Sequence, residues 1–113
     1  MEYNFIPTPK FKKSFKRLLK KYSSLLSDFE EFKKEFSKNP EIGDDLGGGF
    51  RKIRMAIKSK NKGKRGGARI ITYNFYLEQE TQDILLIDIY DKSELSDMQD
   101  FEYEHIAKEY LED

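Results

Sequence analysis

Hydrophobic side chains recur at helical spacing in the first third of the chain. From Lys10 onward, an apolar stripe at i, i+4, i+7, i+8 and i+11 consists of Phe11, Phe15, Leu18, Leu19 and Tyr22. A second helix, from about Leu25 to Phe36, has on its inner face Leu25, Phe29, Phe32 and Phe36. Ser23-Ser24 separates the two helices, and Asn39-Pro40 ends the second one. These features predict an antiparallel helical hairpin.

Most of the remaining chain favours β-structure. The alternating segment Tyr3–Ile6, followed by Pro7, is typical of an edge strand. Glu41–Gly49 is expected to be a loop that ends in three glycines. Stretches rich in Ile, Tyr, Phe and Thr then predict three strands, at about Phe50–Ile57, Ala68–Leu77 and Asp83–Tyr90. The short turn at about Glu78–Gln82 makes the last two strands antiparallel neighbours.

A final helix is predicted to run to about Glu112. Ser96 is its expected N-cap, and Gln99 completes a capping box. Its inner face consists of Tyr103, Ile106, Ala107, Tyr110 and Leu111. The element order β-α-α-β-β-β-α predicts one α+β domain over residues 1–113. In this domain a small twisted antiparallel sheet is backed by the helical hairpin on one face, and its other face is free.

Composition narrows the class of protein. The 113 residues include no run of 18 apolar residues, and the start of the chain lacks the apolar stretch of a signal peptide, so we expect a cytoplasmic protein with no membrane partner. There is no cysteine and one histidine, His105, which we expect to be exposed or partly packed on the last helix. Disulfides, thiolate zinc sites and paired-histidine catalysis are thereby excluded, and we expect neither a metal nor a cofactor. Aromatic residues make up 14% of the chain, which favours a folded domain over a disordered one.

Charge is distributed unevenly along a chain whose net charge is zero. Residues 1–22 carry +6, 23–49 carry −4, 50–69 carry +9 and 70–113 carry −11. Strand alternation turns Ile53 to one side of the sheet and Lys52, Arg54 and Lys58 to the other. A solvated strand face that resists aggregation is one explanation for such a row. Nine cations without one carboxylate in twenty residues indicate instead a polyanionic partner.

The cationic stretch continues through a glycine-rich loop between two predicted strands. Its basic residues are Lys58, Lys60, Lys62, Lys64, Arg65 and Arg69. Gly63-Lys64 is followed by Arg65 rather than by Ser or Thr, which argues against a P-loop. Among the nearby aromatics, Tyr73 and Tyr90 share strand parity with a cation and are candidates for stacking on bases, although core packing is the commoner role of strand aromatics.

The segments Phe50–Arg54, Gly66–Tyr73 and Ile89–Glu94, in this order behind a lysine-rich helix, resemble the RelE/ParE superfamily of bacterial type II toxins. The RelE and HigB branches are the most similar, and the resemblance covers nearly the whole chain. It implies a small sheet backed by a helical hairpin. It also implies an endoribonuclease (an mRNA interferase) that cleaves messenger RNA on the ribosome. In that reaction the RNA's own 2′-hydroxyl attacks the adjacent phosphorus, without a metal.

The resemblance also implies roles for individual residues. Lys52 corresponds to a general base, Arg54 to a phosphate clamp and Arg69 to a stabiliser of the transition state. Lys92 corresponds to a clamp or proton donor, and Tyr90 is a further catalytic candidate; which residue is base and which is acid stays open. The residues expected to contact RNA are Lys58, Lys60, Lys62, Lys64, Arg65 and Tyr73.

Partners follow from the same resemblance. We expect a cognate antitoxin with an acidic segment that covers the basic patch, which consists of the cations of residues 50–69. The other expected partners are mRNA and ribosomal RNA. The acidic last helix is either surface charge or a control on access to this patch. Two alternatives remain: a ParE-like gyrase poison, whose branch lacks the basic cluster, and an RNA-binding module without cleavage activity.

Overall fold

The computed structural model describes residues 2–75, 81–94 and 100–112. Its elements are β1 (Glu2–Pro7), α1 (Pro9–Lys21), α2 (Leu25–Lys38), β2 (Asp44–Gly47), β3 (Phe50–Met55), β4 (Ala68–Phe75), β5 (Thr81–Asp91) and α3 (Asp100–Glu112). A single 3₁₀ turn follows β3, at Lys58–Lys60. The predicted α+β class and the order of its elements are confirmed, and the predicted ends of the first two helices lie within two residues of the observed ones.

The five strands form one mixed sheet in the order β1-β5-β4-β3-β2. The pairings of β3 with β4 and of β4 with β5 are antiparallel, as expected, and β2, which was not predicted, pairs antiparallel with β3. β1 instead runs parallel to β5 at the sheet edge. A parallel pair requires a long crossover connection, and everything from α1 to β4 lies between these two strands in sequence. Alternation alone carries no information on strand direction, so the sequence could not indicate this pairing.

Part of the segment that was expected to be a loop, Glu41–Gly49, is the short strand β2. Asp44 pairs with Lys52 and Asp45 with Arg51, so an acidic edge strand lies beside a basic one. Gly47, Gly48 and Gly49 have φ values of 89°, 62° and 94°, a left-handed run that glycine adopts without steric cost and that closes the β2–β3 hairpin. The strand was missed because it has no apolar alternation.

Thr8 anchors the helical hairpin to the sheet. Its buried side chain accepts a hydrogen bond from the Phe11 amide at 3.1 Å, which caps α1, and donates to the Leu86 carbonyl of β5 at 2.9 Å. Pro9 occupies the first turn of α1, where a missing N–H costs nothing. The start of α1 is therefore attached to the central part of the sheet.

The main hydrophobic core lies between the helical hairpin and one sheet face. The inward residues predicted for α1 and α2 pack there, and aromatic edge contacts join β1 to α2 and α1 to α2, with ring centroids 5.4 Å apart for both Phe5–Phe36 and Phe15–Phe29. The core's buried members are Phe11, Leu18, Leu25, Phe32, Phe36, Ile53, Met55, Ile57, Ala68, Ile70, Ile84, Leu86 and Ile89.

A second core on the opposite face corrects the expectation that this face is free. Tyr103 and Ala107 of α3 are buried there with Ile71 and Leu85 of the sheet, and Ile106 packs partly against them. The centre of β5 is buried on both faces, so an apolar surface remains after the hairpin has packed and α3 covers it. The predicted cap at Ser96 and Gln99, most of the 78–82 turn, and the side chains of Tyr110 and Leu111 lie outside the described residues.

Substitution of two adjacent leucines in α2 tests which side of the helical hairpin packs in the core. Leu25 is 0% exposed and Leu26 is 59% exposed, so we expect Leu25→Ala to lower the free energy of unfolding by about 2–5 kcal/mol. Leu26→Ala, the same chemical change one residue away, should change it by about 0.5 kcal/mol or less. Urea denaturation measures both values, and equal losses would contradict the packing described above.

Candidate nucleic-acid interface

Strand register assembles a row of three predicted site residues on the sheet face opposite the hairpin. Arg54 of β3 lies directly across from Arg69 of β4, and Arg69 lies directly across from Tyr90 of β5. Adjacent strands are separated by about 4.8 Å, so the three side chains start within about 10 Å of one another. Lys52 shares this face two residues before Arg54, so a further cation lies beside the row on β3.

A β-bulge in β5 is responsible for the position of Tyr90. Ile71 pairs with Asp88 and Thr72 pairs with Leu86, so β5 has one extra residue at this point. Before the bulge, Leu85 and Ile87 face α3; after it, Ile89 faces the hairpin core. The bulge therefore places Tyr90 on the face of Arg69 and Asp91 on the hairpin face.

Arg69 is a buried member of the row, with 6% of its surface exposed. Its guanidinium donates hydrogen bonds to the carbonyls of Lys64 at 3.2 Å, Ala68 at 3.1 Å and Arg65 at 3.2 Å. Burial, and then the neighbouring Arg54 guanidinium, lower the pKa of Arg69, while Tyr90 and Asp44 act in the opposite direction. Arg69 therefore fixes the end of the basic loop (residues 58–67, between β3 and β4) and adds its charge to the row.

Arg54 is the exposed guanidinium of the row. It also borders a cleft of about 130 Å³ that is lined in part by Asp28, Glu35 and Lys64. Lys52 is half-buried and lies across from Asp44 on β2. Sequence reasoning missed Asp44 because its segment was assigned to a loop; the signal was an acidic pair and a glycine run immediately before a basic strand, which is typical of a charge-matched hairpin.

The basic loop between β3 and β4 does not turn all of its cations toward solvent. Lys58, Lys62 and Arg65 are exposed, as expected for residues that contact a polyanion. Lys60 is instead in a buried ion pair with Asp91, and Lys64 is in an exposed ion pair with Glu35 of α2. Lys58 lies in the 3₁₀ turn and does not continue the strand row of Lys52 and Arg54.

Asp91 accepts hydrogen bonds from three directions inside the protein. The Lys60 ammonium donates to it at 2.6 Å, the Ser93 amide donates at 3.0 Å, and the Tyr22 hydroxyl donates to its other carboxylate oxygen. Burial acts to raise the pKa of Asp91, but these hydrogen bonds outweigh burial and hold the pKa well below its ordinary value. The hydrogen bond to Asp91, followed by burial, raises the pKa of Tyr22 to about 12. Tyr22 and Asp91 were not predicted as a pair because they are 69 residues apart.

The remaining predicted site residues lie at different distances from the row. Lys92 is exposed just beyond the end of β5, where its amide donates to the Gly67 carbonyl at 2.9 Å. Tyr73 lies four residues along β4 from Arg69, about 13 Å away, and its ring packs on Phe50 with a centroid distance of 4.7 Å. Both tyrosines are partly buried against the second hydrophobic core, but the register brings only Tyr90 directly across from Arg69.

The acidic helix α3 lies on the same sheet face as the row. Tyr103 and Glu104 border a pocket of about 290 Å³ together with Leu46, Gly48 and Phe50 of the β2–β3 hairpin. His105 is exposed and lies 3.0 Å from Glu109, which confirms its predicted place on the last helix. α3 covers the part of this sheet face that the row does not occupy, so the carboxylates of α3 lie on the same face as the row.

Comparison with protein-family models gives no match for this chain. Within residues 2–75, 81–94 and 100–112 there is no group of three or more His, Cys, Asp or Glu side chains that could hold a metal ion. None of the helices in the described part of the chain is long and apolar enough to cross a membrane.

The hydrogen bond between Tyr22 and Asp91 predicts a loss of stability at high pH. An unfolded tyrosine ionises near pH 10, whereas folded Tyr22 keeps its proton to about pH 12, so its contribution is present below the first pH and is lost as the pH rises through the second. Urea denaturation of wild type and Tyr22→Phe at several pH values should show the wild-type advantage shrinking above about pH 10. An advantage that is constant to about pH 11.5 would contradict the proposed hydrogen bond.

Proposed function

We propose that this chain is a RelE/HigB-like toxin, an endoribonuclease that cleaves messenger RNA on the ribosome in the cytoplasm and so inhibits translation. The observation that carries the proposal is the register that places Arg54, Arg69 and Tyr90 directly across three adjacent strands. Exposed Arg54, with half-buried Lys52 beside it and the charge of buried Arg69 behind it, gives this part of the sheet a positive potential that suits a phosphate backbone.

The reaction balances without a cofactor. The 2′-hydroxyl oxygen attacks the adjacent phosphorus, the bond to the 5′-oxygen breaks, and the products are a 2′,3′-cyclic phosphate and a 5′-hydroxyl. The enzyme must accept the proton of the 2′-hydroxyl, stabilise the extra negative charge on the phosphorane, and supply a proton to the leaving oxygen.

Two lysines flank the row from opposite ends. Lys52 lies one strand repeat before Arg54, and Lys92 follows the last residue of β5, at the same end of the sheet as the basic loop. A phosphate bound at the row would therefore lie between them. In this arrangement exposed Arg54 clamps the phosphate, Lys52 is the candidate base, and Tyr90 or Lys92 is the candidate acid.

The basic loop supplies the RNA contacts outside the reacting centre. Lys58, Lys62 and Arg65 are exposed and adjoin the Arg69 end of β4, so they extend the positive surface away from the row. The same surface is complementary to an acidic segment of an antitoxin, which would compete with RNA for it.

Substitution of Arg54 tests the nuclease proposal directly. Purified protein is added to translating ribosomes with a defined message, and cleavage is followed by primer extension. We expect codon-positioned cuts with wild type, and a rate about 10²-fold lower with Arg54→Gln because one charged contact to the phosphorane is lost. Lys38→Gln removes an equal charge from the exposed end of α2 and should cleave at the wild-type rate.

Each remaining outcome excludes this proposal in a different way. An intact message with ribosome-bound protein would identify an RNA-binding module. Gyrase-dependent DNA breaks would identify a ParE-like poison. Cleavage by Arg54→Gln at the wild-type rate would show that the row is not the catalytic site.

The loop cations should govern the salt dependence of RNA binding. The double variant Lys62→Gln, Arg65→Gln removes two exposed charges, so the slope of log K against log salt concentration should fall by about 1.4. Binding of a labelled single-stranded RNA at several salt concentrations measures this slope. The double variant Lys34→Gln, Lys38→Gln on α2 removes the same charge and should leave the slope unchanged; equal effects of the two variants would contradict a localised interface.

A further inference from the structure

The basic loop, residues 58–67, is attached to the rest of the protein on both faces of the sheet. On the face of the row, the Arg69 guanidinium binds the Lys64 and Arg65 carbonyls. On the hairpin face, the Lys60 ammonium reaches Asp91, the residue after Tyr90 on β5. Because neighbouring residues of a strand point to opposite faces, Tyr90 and Asp91 place the proposed site and this buried ion pair back to back.

The burial and hydrogen bonding of the Lys60–Asp91 ion pair constrain the conformation of the loop. Asp91 is 0% and Lys60 10% exposed at the side chain, and the Tyr22 hydroxyl from the end of α1 satisfies the second carboxylate oxygen. The Lys60 ammonium also lies 5.7 Å from the centre of the Tyr22 ring. An ion pair buried this deeply contributes little net stability but strongly disfavours arrangements that separate its members.

Lys58 and Ser59 extend the same attachment along the start of the loop. The Lys58 amide donates to both carboxylate oxygens of buried Asp28, at 3.3 and 3.2 Å, and the Ser59 amide donates to the Ser24 hydroxyl at 2.9 Å. Three consecutive loop residues are thus attached to the first turn of α2, to the turn of the helical hairpin and to the end of β5, respectively. The exposed cations Lys62 and Arg65 lie two and five residues beyond Lys60.

We propose that Tyr22, Asp91 and Lys60 form a latch that positions the basic loop for RNA, so that Lys60 acts from the interior rather than as an RNA contact. This inference rests on the RNA-binding function proposed above. Tyr22 and Asp91 are positioning residues, since they lie on the face opposite the row and act through Lys60.

A pair of charge-matched variants separates this latch from a simple electrostatic effect. Asp91→Asn and Glu94→Gln each remove one negative charge near the end of β5, but the Glu94 side chain is 40% exposed and accepts its hydrogen bonds from Arg17 rather than from Lys60 or Tyr22. If charge alone matters, both variants bind a labelled single-stranded RNA more tightly. If the latch positions the loop, Asp91→Asn raises the Kd about 10-fold and Glu94→Gln does not. Tighter binding by Asp91→Asn would overturn the proposal.

Native-state digestion by trypsin tests the latch without reference to RNA. Cleavage after Lys62, Lys64 and Arg65 should be about 10-fold faster in Asp91→Asn than in wild type or Glu94→Gln, and the increase should exceed the one at lysines of α1. An equal increase at both places would show general destabilisation and overturn the proposal. If Asp91→Asn does not fold, Tyr22→Phe retains the ion pair and should give a smaller increase confined to the loop.

RNA binding and tryptic digestion test the proposed function and the latch separately. Wild-type protein that does not bind RNA would overturn the proposed function, while loop-specific digestion would still establish the latch. Loop digestion at the wild-type rate in both Asp91→Asn and Tyr22→Phe would overturn the latch, whatever the RNA result.

Discussion

The pairing of β4 with both β3 and β5 is the constraint on which the rest of the structure depends. Side chains alternate between the two faces, so a slip of one residue in β3 would turn Arg54 into the hairpin core and expose Ile53. The apolar residues of β3 and β4 that face α1 and α2 prevent this slip, because exposing them would cost several kcal/mol. The charged row is thus held in place by the hydrophobic contacts on the opposite face.

The nine cations of residues 50–69 serve different purposes although they are close in sequence. Arg51 donates to the carbonyls of Glu41, Ile42 and Gly43 and shapes the chain before β2. Arg69 and Lys60 hold the two ends of the basic loop. Arg54, Lys58, Lys62 and Arg65 are left on the surface, and they give the proposed interface its charge. A dense basic segment here provides both the framework and the binding groups.

Acidic residues are arranged around this segment in a complementary way. Asp91 and Asp28 are buried and oriented toward the loop, and Asp44 faces Lys52 across the β2–β3 hairpin. The carboxylates of α3 lie on the same sheet face as the row. The net charge of zero therefore conceals a molecule whose negative charges partly anchor its positive ones and partly border them.

The sequence by itself determined the elements other than β2, because helical and strand periodicities are local and the apolar stripes of α1, α2, β3 and β4 are unbroken. The sequence also located the basic segment, and its strand alternation showed that Lys52 and Arg54 lie on the sheet face opposite to that of Ile53. Only the tertiary structure decided the parallel placement of β1, the cover that α3 provides, and the bulge that determines which faces of the sheet Tyr90 and Asp91 occupy. The tertiary structure also decided that Lys60 is buried and that the Arg69 guanidinium is hydrogen-bonded to carbonyls of the basic loop. Most of these features depend on groups far apart in the chain, and even the short-range contact of Arg69 with the loop carbonyls is settled by burial and hydrogen bonding rather than by local pattern.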